Sequence, residues 1–218
     1  MNPHPILFND VMVRAILEGR KTQTRRPIRP PVDGLAFTGW HPEDMSIALF
    51  AREDEVGKTH WSSRCPYGIP GDRLWVRETW QLLVTCAVGW GDGPDDWDYD
   101  LEAADDIPKQ LPYNGGVVYR ATDPEAAPWW RPSIHMPRWA SRITLEVVNV
   151  RVQRLRDIEW RDVKAEGVNL SSLVSRGRNR DIDAGHLFAE QWDAIYADRG
   201  LGWNANPWVW AITFRRDR

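Results

Sequence analysis

The chain carries only two cysteines, Cys65 and Cys86. That is too few for a disulfide framework, and His60 near Cys65 has no second ligand pair at zinc spacing. No apolar run reaches membrane-spanning length and no secretory leader pattern opens the sequence, so a cytoplasmic chain with no membrane partner is expected. Positive charge is not in excess: Lys+Arg 28 against Asp+Glu 31 leaves a formal charge of -3. This excludes a surface coated in basic groups for gripping duplex DNA and confines any nucleic-acid contact to a local patch. Neither the phosphate-cradling Walker loop nor the dinucleotide Gly-x-Gly-x-x-Gly fingerprint occurs. The acidic run from Asp92 to Asp106 lacks the Asp-x-Asp-x-Asp-Gly spacing of a calcium loop and reads as a solvated loop. No metal and no cofactor are expected.

What is present in quantity is tryptophan, 14 residues, several of them beside arginine or proline: Trp75, Trp80, Trp129, Trp130, Trp139, Trp208 and Trp210. An indole is a large apolar body with one donor, so most of these belong in packing, and one or two suit the stacking of a base. The other concentrated feature is GRKTQTRRPI, Gly19 to Ile28. It places the Lys21 amine and the Thr22 and Thr24 hydroxyls among Arg20, Arg25 and Arg26, a set suited to an anionic or nucleobase-like ligand. A lysine and a threonine three apart can act as base and nucleophile if burial lowers the lysine pKa.

The periodicities give a coarse architecture. PILF is a short strand, Asn9 or Asp10 caps a helix with Val13, Ile16 and Leu17 on its apolar face, and Gly19 stops it. Lys21 to Ile28 reads as extended, with Thr22, Thr24 and Arg26 on one face and Gln23 and Arg25 on the other. Lys21 and Thr24 can meet there only if Lys21 still belongs to the turn. Residues 30–63 and 82–112 show no sustained periodicity and read as excursions, the first as a lid flap. Pro70, Gly71 and Asp72 form a turn before a strand with Leu74 and Val76 buried, and GGVVYRA is another strand. In ITLEVVNVRVQRL the alternation runs through Ile143, Leu145 and Val147 and then shifts to Val148, Val150 and Val152, which predicts a bulge or bend. DIEWRDVKAEGV is a short helix ending at Gly167, HLFAEQWDAIYA a longer one, and PWVWAITFRR a closing strand. Few helices beside several strands joined by long loops predict one α+β domain built on a small β-barrel.

The order GRKTQTRR, PGDRLWVRETW, a long strand, AEGV and a terminal NPWVWAITF strand resembles the ASCH domain family of the PUA-like superfamily. SIHMPRWASRITLEV, CPYGIPGDRLWVRETW and NPWVWAITF look like the longer ASCH proteins of tailed phages and prophages. The resemblance covers residues 1–218 as a single domain, apart from insertions at about 30–63, 82–112 and 169–184. It implies a PUA-like barrel with flanking helices and a cleft that engages RNA or modified bases. Some small bacterial members are metal-independent amidohydrolases that remove acyl groups from N4-acylcytidine. On that resemblance the threonine nucleophile corresponds to Thr24, its lysine base to Lys21 and the late glutamate to Glu166 in KAEGV. The chain is about twice the usual size of those enzymes and carries Arg26 and Pro27 after the threonine.

Independent chemistry bears on these roles. A threonine hydroxyl needs a base within hydrogen-bond reach, and Arg20, Arg25 and Arg26 would push the Lys21 pKa down while Glu166 would raise it. Arg25 or turn amides could hold an oxyanion. Glu78 in VRETW is a further acid, and His135, Arg138 and Trp139 in SIHMPRW suit a base and a phosphate. The expected activity is hydrolysis of an N4-acylated cytidine-type nucleoside or modified base. The alternatives are a non-catalytic reader of RNA or of single-stranded or modified DNA, and a ribonuclease.

Overall fold

The computed structural model describes residues 3–29, 34–54, 57–88, 98–103, 107–113, 115–171 and 180–217. In chain order its elements are β1 (His4–Leu7), α1 (Asp10–Leu17), β2 (Gln23–Pro27), β3 (Ala36–His41), β4 (Asp44–Asp54), β5 (Gly57–Arg64), β6 (Arg73–Arg77), β7 (Trp80–Val88), β8 (Asp98–Ala103), β9 (Gly115–Tyr119), β10 (Thr144–Arg154), α2 (Trp160–Ala165), α3 (Arg180–Tyr196) and β11 (Trp208–Arg216). This is a mixed α+β protein in which strands predominate, and among the described residues none of the sheets closes on itself. No helix is long and apolar enough to cross a membrane. The chain divides into two compact units, the first made of residues 1–4, 15–74 and 145–218 and the second of residues 5–14 and 75–144.

In the first unit β11 pairs antiparallel with both β10 and β2, setting Thr24 opposite Ile212, Arg25 opposite Ala211 and Arg26 opposite Trp210. Seven of the nine β11 positions are apolar, aromatic or threonine, before Arg215 and Arg216, as a strand enclosed on both faces requires. The predicted phase slip in β10 is a bulge: Val147 faces Phe214, Asn149 faces Thr213, and Val148 between them has no partner and is exposed. One additional residue lets Leu145, Val147 and Val150 all be buried although their spacing changes from two to three. Helix α2 ends where its sequence says it should. Gly167 takes φ +86 just beyond Glu166, and its N–H donates to the Lys164 carbonyl at 2.9 Å. Helix α3 begins earlier than its apolar pattern suggests, at Arg180, and its Phe188, Trp192 and Tyr196 join Val163, Leu155 and Val209 in one core cluster.

The segment read as an irregular excursion at 30–63 contains an antiparallel meander, β3-β4-β5. Its alternation escapes a hydropathy pattern because small or polar residues occupy inward positions, with Ala48 and Ser63 buried beside Phe50. Trp40 stacks on Trp210 at 5.9 Å, and Phe37 and Phe50 pack edge-on near Trp208, so the meander supplies core rather than a loose flap.

The second unit centres on β7, flanked by β8 and β9 in an antiparallel sheet. Trp80, Gln81, Leu82 and Leu83 are consecutive and all buried, so β7 has no alternation to detect. Its core joins Trp80 and Leu82 to Met136, which follows the short 3-10 turn at Ser133–His135, and to Ala140 in the one at Arg138–Ala140. Of the acidic run, Asp98, Asp100 and Glu102 fall in β8, while Asp92, Asp95, Asp96, Asp105 and Asp106 lie outside the described residues, as do residues 172–179. At the start of α1 the Asn9 side chain accepts from the Met12 N–H at 2.9 Å, the cap expected there.

Gly167 allows a direct check of the α2 terminus. A Cβ there would sit 3.0 Å from the Cβ atoms of both Ala15 and Lys21, on a backbone already in the left-handed region. Gly167→Ala is expected to lower unfolding free energy by about 2 kcal/mol, from left-handed strain plus crowding. Urea denaturation measures this, and an unchanged midpoint would show that the turn relaxes freely.

Candidate functional site

The residues after α1 reach their positions through backbone bonds. Gly19 takes φ +74, the N–H groups of Arg20 and Lys21 both donate to the Ala15 carbonyl at 2.8 and 2.9 Å, and the Thr22 N–H donates to the Ala165 carbonyl at 2.8 Å. Lys21 thus lies in an isolated antiparallel bridge with Glu166 before β2 begins at Gln23. The turn itself is at Glu18 and Gly19, so Lys21 stands in a bridge between that turn and β2, and no hydrogen bond joins its amine to the Thr24 hydroxyl.

Lys21 and Glu166 come together as expected. The Lys21 amine donates to the Glu166 carboxylate at 2.7 Å and to its carbonyl at 2.8 Å, and its side chain has no exposed surface. Burial is the largest influence on this amine and holds its pKa below the ordinary 10.5; Glu166 pulls the other way, while Arg26 and Arg25 assist the lowering. The second Glu166 oxygen accepts from Arg25 at 3.1 Å. Arg25 also donates to Gln23 Oε1 at 2.7 Å and to Asp162 at 2.8 Å, and Asp162 accepts further from Arg151 at 3.0 Å. Partial burial acts to raise the Asp162 pKa, but Arg25 and Arg151 outweigh it and the carboxyl sits below its usual range.

Thr24 stands differently. It is 1% exposed and its hydroxyl oxygen meets no hydrogen-bond partner among the described residues. It is therefore close in sequence to the Lys21 amine without being bonded to it. Alternation in β2 turns Thr24 and Arg26 to the face opposite Gln23 and Arg25. Lys21 is reached from both faces, by Arg25 through their shared Glu166 and by the Arg26 charge.

The remaining expected residues divide between roles and units. Arg20 is exposed, ion-paired to Glu18 at 2.5 Å and bonded to the Gly167 carbonyl at 3.0 Å. Arg26 hydrogen-bonds the Tyr67 hydroxyl, whose pKa burial raises against the pull of that guanidinium. Arg25 is enclosed and its terminal nitrogens are engaged, so only Nε, buried and without a partner, remains to hold an oxyanion. In the second unit Glu78 is buried and held bidentately by Arg142 at 2.9 Å through both oxygens. Burial raises its pKa while Arg142 opposes that rise. His135 and Arg138 are exposed on the 3-10 turns, and Trp139 is half-buried, packing edge-on against Trp80 and donating to the Pro108 carbonyl at 3.2 Å.

Sequence reasoning missed Gln23, Arg151 and Asp162. A signal existed for Asp162, which is four residues before Glu166 and hence on one face of the helix end. Among the described residues no group of three or more His, Cys, Asp or Glu gathers in a way that could hold a metal ion. Burial also pushes the Cys65 thiol up to about 12, so it stays protonated and a poor ligand or nucleophile.

Two substitutions separate these buried groups. Thr24→Val exchanges an unpartnered hydroxyl for a methyl of the same shape and is expected to hold or raise stability by up to about 1 kcal/mol. Lys21→Met strips a buried carboxylate of its ammonium and should cost about 3–5 kcal/mol. Chemical denaturation of both variants checks the contrast, and a large loss in Thr24→Val would reveal a hidden bond to that hydroxyl. The chain matches no protein-family model, no curated protein and no solved structure, so the reading of this site rests on its own geometry and chemistry.

Proposed function

We propose that this chain is an amidohydrolase acting on an N4-acylated cytosine-type nucleoside or base, with the ASCH-like, PUA-like barrel as its framework and Thr24, Lys21 and Glu166 as its working groups. The observation that supports this reading is an amine with a lowered pKa, oriented by a buried carboxylate, three residues from a buried hydroxyl that nothing else uses. Perturbed ionisable groups of this kind concentrate at functional sites, and a fully buried ion pair is a poor device for stability alone.

The steps balance with side chains and one water. Thr24 Oγ1 adds to the acyl carbon while neutral Lys21 takes its proton. The tetrahedral adduct collapses by breaking the C–N bond, and the Lys21 ammonium returns the proton to the departing exocyclic nitrogen. Water then adds to the threonine ester while Lys21 takes a proton from it, and the adduct collapses by breaking the bond to Thr24 Oγ1, to which Lys21 returns that proton as the carboxylic acid leaves. Glu166 holds the amine by two hydrogen bonds, through its carboxylate and its carbonyl, and limits how far its pKa can fall. A low pKa matters because only the neutral amine can act as base. The rate should therefore climb with pH through an ionisation below 10.5, the opposite of a mechanism that needs the ammonium.

Incubation of the purified chain with N4-acetylcytidine, following free cytidine, tests the reading. Thr24→Val is expected to reduce turnover by about a hundredfold or more while the fold is retained, and Lys21→Met, assayed below its lowered unfolding temperature with the folded fraction measured, to reduce it as far with loss of the basic ionisation. Hydrolysis that survives Thr24→Val but not Lys21→Met would identify water as the nucleophile. No turnover by the folded wild-type chain on any N4-acyl cytosine substrate would end the proposal.

A further inference from the structure

Lys21 and Arg25 are two cations without exposed side-chain surface, and Glu166 alone would have to neutralise both. The second acid is Asp162. It stands four residues before Glu166, on the same face of the end of α2, a spacing at which like charges repel. The Arg25 guanidinium joins the two. It donates to Gln23 Oε1 at 2.7 Å, to Asp162 Oδ2 at 2.8 Å and to Glu166 Oε1 at 3.1 Å, so its longest bond is the one to the carboxylate that the Lys21 amine uses. Gln23 Nε2 donates in turn to the Thr213 hydroxyl at 3.3 Å. The other Asp162 oxygen accepts from Arg151 at 3.0 Å, and the Arg151 side chain is 43% exposed.

The charges acting on the Lys21 amine come from Glu166 at the end of α2 and from Arg26 and Arg25 in β2. Arg20, from the turn after α1, is directed instead to Glu18 and the Gly167 carbonyl. Those acting on Asp162 are Arg25 and Arg151, and α3 sets the Phe188 ring centre 5.9 Å from the Arg25 guanidinium. Asp162 and Arg151 therefore reach the amine through Arg25 and Glu166. A guanidinium drawn toward Asp162 leaves more of the Glu166 charge to the ammonium form of Lys21. One released to Glu166 competes for that charge and favours the neutral amine.

We infer that Asp162 is the positioning residue of this site: backed by Arg151, it holds the Arg25 guanidinium on its own side and so sets how much of Glu166 remains for the Lys21 amine. For its bearing on rate this rests on the reading of Lys21 as the working base, but the charge on the amine is measurable without substrate.

The chain has four lysines, so carbon-13 labelling of lysine Cε gives a small set of signals whose pH titration is followed by NMR in the full chain. Lys58→Arg, Lys109→Arg and Lys164→Arg identify the other three. Asp162→Asn removes a negative charge and frees Arg25 for Glu166, so the Lys21 midpoint is expected to fall by about half a pH unit; Arg151→Gln leaves Asp162 to Arg25 alone and should raise it by about as much. Arg151→Lys keeps the charge and should return the midpoint to that of the wild type. In the double variant Asp162→Asn with Arg151→Gln, the midpoint should match that of Asp162→Asn alone, because Arg151 then has no carboxylate to act through. Urea denaturation confirms that each variant is folded, and the two Arg151 substitutions, at a half-exposed side chain, carry the test if Asp162→Asn does not fold. Midpoints unmoved by the single charge removals, moved by both in the same direction, or additive in the double variant overturn the inference. The two readings fail separately: the expected shifts in a chain that hydrolyses no N4-acyl cytosine keep the positioning role and end the hydrolase, whereas hydrolysis with an unmoved Lys21 midpoint does the reverse.

Discussion

An ammonium group with no exposed surface must be paired or lose its proton, and the first unit is arranged around that constraint at Lys21. The amine reaches Glu166 across an antiparallel bridge, Glu166 is shared with Arg25, and Arg25 leads on to Asp162 and Arg151. Two carboxylates near one helix end meet three cations, from the bridge residue Lys21, from β2 and from β10. Removing water from such groups costs several kcal/mol each, which their mutual attraction recovers only with good geometry and satisfied hydrogen bonds. The cluster therefore demands a fixed relation between the end of α2 and the start of β2. The backbone bonds from Ala15 and Ala165 supply it.

That arrangement explains why chemistry can be read here at all. A surface lysine would be charged and mobile, whereas this one is held in place with a lowered pKa. The Thr24 hydroxyl, three residues further along the chain, is a buried polar atom with no partner among the described residues, which ordinary folding would pair or replace. A buried hydroxyl left unsatisfied has a cost in stability, and function is the usual reason such costs persist.

Much of this was legible in the sequence where local rules govern. The Asn9 cap, the Gly19 and Gly167 stops, the β6 alternation and the slip in β10 each follow from residue types at fixed spacings, and the structure has all of them. The pairing of Lys21 with Glu166 came from family resemblance rather than from spacing, because the residues are 145 positions apart. The β3-β4-β5 meander and β7 were not legible, for opposite reasons: small residues fill inward positions in the former, and the latter is buried on both faces, so neither alternates in hydropathy. Asp162 escaped notice because a carboxylate on a short helix looks solvent-facing until a guanidinium from another strand is placed beside it.

The unpaired Val148 has a bearing on a charge further along its own strand. Side chains along β10 take turns between the two surfaces of the sheet, so counting from Leu145 without interruption would send position 151 to the same surface as Leu145 and Val147, among the aliphatic groups. The additional residue reverses that parity, and Arg151 emerges beside Asp162 instead. Length in this strand is thus coupled to electrostatics at the helix end. A homologue lacking one residue here would need an apolar side chain where this one has an arginine, and would have to neutralise Asp162 by other means.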